Sequence, residues 1–222
     1  MDSKMNVFDI EINKCPAKEA MKAAIGYLGS MPVSVIEMVT AEGLMRINEA
    51  RELKEGISQF DLVLAGDKMI LEAAEVTDRK YLQETEGQVF LKMFLRYLHK
   101  NHKRVYLLVG SEEEGQQFYD YLQKNYSGIQ VAGLAKVSAE DRADDMLVNA
   151  INGGEADCVF ASLPAPLEQE FIIRNRSRLD AEVWLGMGPG ILSVRRRGFG
   201  EGRIARFVTK YILKKEVEKS KR

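Results

Sequence analysis

Between Cys158 and Ile172 the chain reads Cys-Val-Phe-Ala-Ser-Leu-Pro-Ala-Pro-Leu-Glu-Gln-Glu-Phe-Ile, an apolar run that passes through a proline-marked turn into a helix carrying Glu168, Gln169 and Glu170 in its first turn. Carboxylates and an amide at this spacing can orient a hydroxylated ligand or move a proton, and they stand beside the unpaired N–H groups at the positive end of a helix. Pro166 suits the first helical position, where its missing N–H costs nothing. In an open parallel sheet such a strand-to-helix turn opens onto the ligand crevice, where an α/β protein keeps its chemistry.

Glycines that follow apolar runs form a second group. Gly110, Gly133, Gly186 and Gly188 leave backbone N–H groups bare enough to approach a diphosphate. The turn Gly186-Met-Gly-Pro-Gly190 lacks the G-x-G-x-x-G spacing and no βαβ unit follows it, so it does not read as a dinucleotide site; a tight turn without a ligand is its other reading. His99 and His102 stand three apart at a helix end with no third ligand close in sequence, and read as a solvated terminus. Arg197-Gly-Phe-Gly200 begins like a ribonucleoprotein signature, but Glu201 and Gly202 break it and the body of the chain is acidic, so nucleic acid is not expected as a partner.

The elements that must hold these residues alternate along the chain. Strand-like apolar runs at Val7–Ile12, Val33–Val39, Leu62–Ala65, Val105–Val109, Ile129–Ala132, Cys158–Ala161 and Val183–Leu185 are separated by amphipathic helical stretches. Most of the runs are unbroken, as expected of strands covered on both faces, so the sequence predicts an α/β fold: a mostly parallel, Rossmann-like sheet with helices on each side. The chain has 222 residues, 45% of them hydrophobic, enough to bury roughly 70–75% of its unfolded surface. Cys15 and Cys158 lie far apart and read as reduced, packed thiols. The N-terminus lacks signal-peptide character, and no apolar run reaches the ~20 residues of a spanning helix.

The net charge of −1 hides an asymmetry: from Arg195 onward eleven Lys and Arg face three Glu. The sequence predicts one α/β domain over residues 1–194 and a basic extension over 195–222. Within it Ile204, Phe207, Val208, Tyr211 and Ile212 recur at helical spacing between Arg203, Arg206, Lys210 and Lys214. Such a basic amphipathic helix could meet an anionic leaflet, at about 1 kcal/mol per cation, or dock on its own sheet or a sister subunit.

The order of these features resembles the WecG/TagA/CpsF glycosyltransferases, glycosyltransferase family 26. The residues that carry the resemblance are Val39-Thr-Ala-Glu42, Leu64-Ala-Gly-Asp67, Val105-Tyr-Leu-Leu-Val-Gly110, Ser162–Ile172, Arg174-Asn-Arg-Ser-Arg-Leu179 and Leu185-Gly-Met-Gly188. The resemblance implies inverting, metal-independent transfer of an N-acetylhexosamine-type sugar, N-acetylmannosamine or a related one, from a UDP donor to a lipid-linked saccharide. It implies no cofactor and a cytoplasmic protein, peripheral at the inner face of the membrane. The sequence contains no Asp-x-Asp pair to hold a divalent ion on the diphosphate, so backbone donors, helix N-termini and Arg would neutralise the leaving UDP.

Carried over residue by residue, the resemblance makes Asp67, Thr40, Glu168 and Gln169 the catalytic candidates. Glu42, Gly66, Gly87, Gln88, Gly110, Gly133, Pro166, Gly186 and Gly188 become substrate-binding candidates, and Arg203, Arg206, Phe207 and Lys210 the membrane or acceptor contacts. Several positions depart from the family pattern. The family's proposed base falls on Gly66, with Asp67 one place later; its Gln-Glu pair reads Glu168-Gln169; its Lys is Leu167; its Asn is Glu42; and its final Asp is Leu192. A one-residue shift in extended chain moves a side chain by roughly 3.3 Å and to the opposite face. Asp67 therefore has two readings, a general base or the cap of a helix beginning at Lys68. Two functions follow: a transferase with rearranged polar residues, or a noncatalytic relative that keeps nucleotide or partner binding. A homo-oligomer is compatible with either.

Overall fold

The computed structural model describes residues 3–140 and 143–189. The basic segment with Arg203, Arg206, Phe207 and Lys210, Leu192 and the division after residue 194 lie outside the described residues.

The chain opens with a hairpin, β1 (Lys4–Val7) and β2 (Ile10–Asn13), where the sequence predicts one strand from Val7 to Ile12. The run is broken at Phe8 and Asp9, both at positive φ (58° and 62°), the conformation of a two-residue hairpin turn. Asn6 Oδ1 accepts the Asp9 N–H at 3.0 Å and steadies that turn. Folded back, the hairpin buries Met5, Val7, Ile10 and Ile12 on one side. Asn13 Oδ1 then takes the Val63 N–H on the neighbouring sheet.

Helix α1 (Ala17–Tyr27) leads into the main sheet, whose strands are β3 (Ser34–Val39), β4 (Leu62–Ala65), β5 (Arg104–Val109), β6 (Gln130–Lys136), β7 (Cys158–Ser162) and β8 (Val183–Gly186). They lie in the order β4-β3-β8-β7-β5-β6, and every neighbouring pair is parallel. The predicted α/β architecture is therefore what forms, with strands β3, β4, β7 and β8 buried along their whole length.

Between β3 and β4 run α2 (Ala41–Asn48) and α3 (Arg51–Ile57). Three helices, α4 (Lys68–Ala73), α5 (Arg79–Glu86) and α6 (Val89–Lys100), separate β4 from β5. The remaining crossovers are α7 (Glu112–Asn125), α8 (Asp144–Gly153) and α9 (Leu167–Asn175). Alternation along β3 sorts the faces: Ile36 and Met38 join α1, α6 and α7, whereas Val35 and Val39 face the layer built from α2, α3, α8 and α9. On the first face Phe160 packs between Phe94 and Phe118; on the second Trp184 stacks on Phe171 at 5.5 Å. Cys15 and Cys158 are buried free thiols, as expected. Burial pushes the Cys15 thiol up to about 11.

Charged groups pin the amino ends of the strands. Lys103 Nζ lies 2.7 Å from Asp157 and 3.1 Å from Glu182, at the starts of β5, β7 and β8. Asp61 accepts the Val35 N–H and a guanidinium N–H of Arg176, both at 2.7 Å. These clusters stiffen the end of the sheet opposite the crevice.

Gly133 differs from its expected place. It lies inside β6, opposite Tyr106 at a shift in the β5–β6 register, and not in a turn after the strand. A Cβ there would overlap the Tyr106 ring, and Tyr106 is buried against Val159 and Ile151. Gly133 serves packing. We expect Gly133→Ala to cost about 1–3 kcal/mol in urea denaturation, and Tyr106→Leu in the same chain to restore part of the loss; an unchanged midpoint for the single variant would contradict this role.

Candidate functional site

Strand β3 hands the chain outward to β4, and β5 hands it outward the other way to β6; β7 and β8 fill the gap between β3 and β5. The crevice over the carboxyl ends of the middle strands is therefore the topological switch of the sheet, where α/β proteins bind ligands. Its edges and floor come from the segments that leave β3, β4, β7 and β8.

On the β3–β4 side stand Thr40 and Asp67. Thr40 caps α2, its hydroxyl accepting the Gly43 N–H at 3.0 Å. Asp67 caps α4 by accepting the Ile70 N–H at 3.2 Å, and its other oxygen accepts the Ala41 N–H of α2 at 2.7 Å. One half-buried carboxylate thus ties together the positive ends of two helices. Gly66, just before it, donates to Val39 O at 2.7 Å and locks the end of β4 to that of β3. Glu42 points outward and pairs with Arg46.

On the β5–β7 side, Ser162 Oγ lies 2.6 Å from Glu114 Oε1 and 3.1 Å from Gly188 O. Glu114 also accepts the Gly110 N–H at 3.3 Å. Ser111 caps α7 by accepting the Glu114 N–H. The result is close to a capping box, with Gly110 as the amide reached by the glutamate.

Between the two sides lies a buried floor. Helix α9 starts at Leu167 with Pro166 before it, one residue earlier than predicted for that proline, and the Ala165–Pro166 peptide is cis. Glu168 and Gln169 face inward and are 0% and 3% exposed. Glu168 accepts N–H bonds from Leu163 at 3.0 Å and from Gly188 at 3.3 and 3.4 Å. Gln169 donates to Glu37 Oε1 at 2.7 Å. Glu37, from the middle of β3, is itself 1% exposed, and its Oε2 lies beside Glu168 Oε1 at the bare face of Gly186. Gly186, its neighbour on β8, is bare because a Cβ would overlap Glu37 Oε2 and lie 2.8 Å from Glu168 Oε1. Gly188 sits at φ +65°, which aims its N–H down at Glu168. The N–H groups of Leu163 and Gly188 are thus taken up by a protein carboxylate.

Two carboxylates in such contact cannot both be ionised without a large penalty. Desolvation pushes Glu37 up to about 7. Desolvation and the charge of Glu37 hold Glu168 well above the usual carboxyl range, opposed by its bonds from Leu163 and Gly188. As a pair of carboxylates, Glu37 Oε2 would lack any donor. One shared proton supplies it. Gln169 donates to Glu37 while Leu163 and Gly188 donate to Glu168, so the proton belongs to the pair, and the two titrate as a unit.

Gly87 and Gln88 lie apart from this floor. Gln88, at φ +50°, precedes α6 and lines a cavity of about 30 Å³ with Cys15, Tyr81, Glu84 and Ala65. That space holds about one water. The sequence reading thus brings Thr40, Gly66 and Asp67 to one side of the crevice, and Glu168, Gln169, Gly186 and Gly188 to its floor. It missed Glu37, Ser162 and Glu114. A lone charge inside the apolar run Val33–Val39 marks Glu37, and the Ser111-x-x-Glu114 spacing marks Glu114.

The pair has a defined pH signature. An acid whose folded pKa is raised binds more protons in the folded state, so its stability contribution, complete below the unfolded value, is lost as pH rises through the folded one. For Glu37 the window runs from its ordinary value of 4.5 to about 7, a loss of about 3 kcal/mol. Urea denaturation across this range should show that decline in the wild type and a flatter profile in Glu37→Gln, whose amide can donate to Glu168. Identical profiles would remove the shared proton.

The chain matches the family model described as "Glycosyl transferase WecG/TagA/CpsF family" over residues 5–194. It is 24% identical over 137 residues to the N-acetylglucosaminyldiphosphoundecaprenol N-acetyl-beta-D-mannosaminyltransferase of Staphylococcus aureus strain MRSA252, a stretch that covers 62% of this chain and 53% of that protein. The protein of the same name from strain NCTC 8325 is 23% identical over the same shares. The chain spans about half the length of the curated relatives it matches. Because the family model covers most of the sequence, including every strand of the main sheet, the chain belongs to the WecG/TagA/CpsF family of glycosyl transferases.

Proposed function

We propose that the protein is a glycosyltransferase of cell-surface polysaccharide synthesis, moving an N-acetylmannosamine-type sugar from UDP to a lipid-linked saccharide. The family match over residues 5–194 carries this reading. The name of the staphylococcal relatives supplies the sugar and the acceptor class. The switch-point crevice, with polar groups on two sides and a floor of glycine turns, supports it further.

In this reading the acceptor hydroxyl oxygen attacks the anomeric carbon from the face opposite UDP. The new C–O bond forms as the bond to the diphosphate breaks, its electron pair leaves with UDP, and the hydroxyl proton passes to Asp67. Inversion follows from that single displacement. Thr40, Gly66, Gly110, Gly186 and Gly188 border the donor, with Pro166 and Glu42 at the margin. Glu168 and Gln169 act from beneath, through the backbone they hold. With no Asp-x-Asp pair in the sequence, the reading takes the nucleotide to leave without a divalent ion. Contact of the basic segment with an anionic membrane belongs to the same reading.

A noncatalytic relative that keeps nucleotide binding is the second reading. It is favoured by one observation: both oxygens of Asp67 accept helix N–H groups, so the carboxylate already has a structural task.

Stabilisation against heat by UDP at ~1 mM, weaker with uridine, is expected under both readings. Turnover separates them. Asp67→Asn should cost about 0.5–2 kcal/mol as a lost cap and, if Asp67 is the base, lower turnover by about 10²–10⁴ with UDP affinity nearly kept. Reduced stability with unchanged turnover would leave Asp67 as a cap alone, and UDP binding without any transfer would favour the noncatalytic reading.

A further inference from the structure

A buried carboxyl pair lies directly beneath the crevice, and the proposed chemistry draws on Glu168 of it but not on Glu37. Glu37 touches neither the open crevice nor solvent. Its contacts are Gln169 and Glu168 from α9 and the bare face of Gly186. Glu168 in turn grips the two turns that shape the floor, at Leu163 after β7 and at Gly188 after β8. A chain of direct contacts therefore runs from the middle of β3 to the surface of the crevice.

We propose that Glu37 is the positioning residue of the crevice floor: the proton it shares with Glu168 holds that carboxyl against the N–H groups of Leu163 and Gly188, and the floor loosens when the proton leaves. The geometry makes this a switch and not simply a packing contact. Glu37 Oε2 lacks a donor of its own and sits where Gly186 leaves room for it beside Glu168 Oε1. Once that proton is gone, two like charges face each other without water between them. Glu168 can then relieve the repulsion only by withdrawing from Glu37, along with the turns it holds.

No other charge facing the pair among the described residues would take over the proton's role. Helix α9 presents Gln169, β8 presents Gly186, and β4 places Val63 opposite Glu37. The nearest crevice carboxylate across the floor, Glu114, is engaged by Ser162 and the Gly110 N–H. Ser162 also touches Gly188 O, so the Gly188 turn is held from both ends. Release at Glu168 leaves it tethered at one.

Two measurements on the full chain test the device without relying on activity. In the infrared, wild-type protein should show the carbonyl band of a protonated carboxyl near pH ~6.5, where ordinary carboxyls are ionised; the band should fade as pH rises and be missing in Glu37→Gln. In hydrogen exchange, the protection factors of the Leu163 and Gly188 amides should fall by about tenfold or more between pH ~6 and ~8.5 in the wild type. They should stay high in Glu37→Gln and lose their pH dependence in Glu37→Met, which removes the second charge. Should Glu37→Gln fail to fold, the titrating band in the wild type decides alone.

The link to catalysis rests on the transferase reading, and there the alkaline limb of the kcat/KM profile should move upward in Glu37→Gln. If no transfer is found in any variant, that reading fails while the band and the protection factors still judge the pair. A wild type without the band, or a Glu37→Gln variant whose protection falls with pH as the wild type's does, would overturn the proposal.

Discussion

Everything at the crevice depends on β8 lying between β3 and β7. It is the last described strand in sequence, and it pairs along one edge with β7, the strand before it, and along the other with β3 from far earlier in the chain. Its insertion sets Gly186 against Glu37 and brings the Gly188 N–H over Glu168. The constraint is steric before it is chemical. Only a residue without a side chain lets the sheet close while a carboxyl pair occupies the layer beneath it.

The two ends of the sheet handle charge in opposite ways. At the amino ends, Lys103 meets Asp157 and Glu182, and Arg176 meets Asp61, each acid having a cation as partner near solvent. At the carboxyl ends the buried acids Glu37 and Glu168 rely on N–H groups and on each other. An ion pair at the margin tolerates small movements because water shares the load. A dry carboxyl pair does not, and its geometry is correspondingly strict. The rigid end and the responsive end of the same strands differ in this respect more than in their packing.

Much of the fold was legible because central parallel strands are unbroken apolar runs, and Val33–Val39, Cys158–Ala161 and Val183–Leu185 each became one. The hairpin was not, since Val7–Ile12 reads as one strand-like run and only two backbone angles at Phe8 and Asp9 divide it. Glycines were harder to interpret: Gly186 ends β8 and Gly188 follows it, but their neighbours are Glu37 and Glu168, and Gly133 accommodates the Tyr106 ring. At the site, the order of motifs led to Asp67 and Glu168, whereas what each carboxylate touches depends on contacts across up to 132 positions of sequence, as between Gln169 and Glu37. Periodicity carries no information about such contacts.

The late, central position of β8 also shapes how the protein comes to be folded. Until residues 183–186 arrive, β3 and β7 each have an inner edge with unpaired N–H and C=O groups, and the sheet exists as two halves, β4-β3 and β7-β5-β6. Joining them closes a loop of more than a hundred residues, from β3 to β8. Pairings that distant in sequence are slow to form, and the open edges invite pairing with other chains in the meantime. A nascent chain of this protein thus carries its greatest risk of misassembly before β8 is made, and insertion of that strand ends the exposure in a single step.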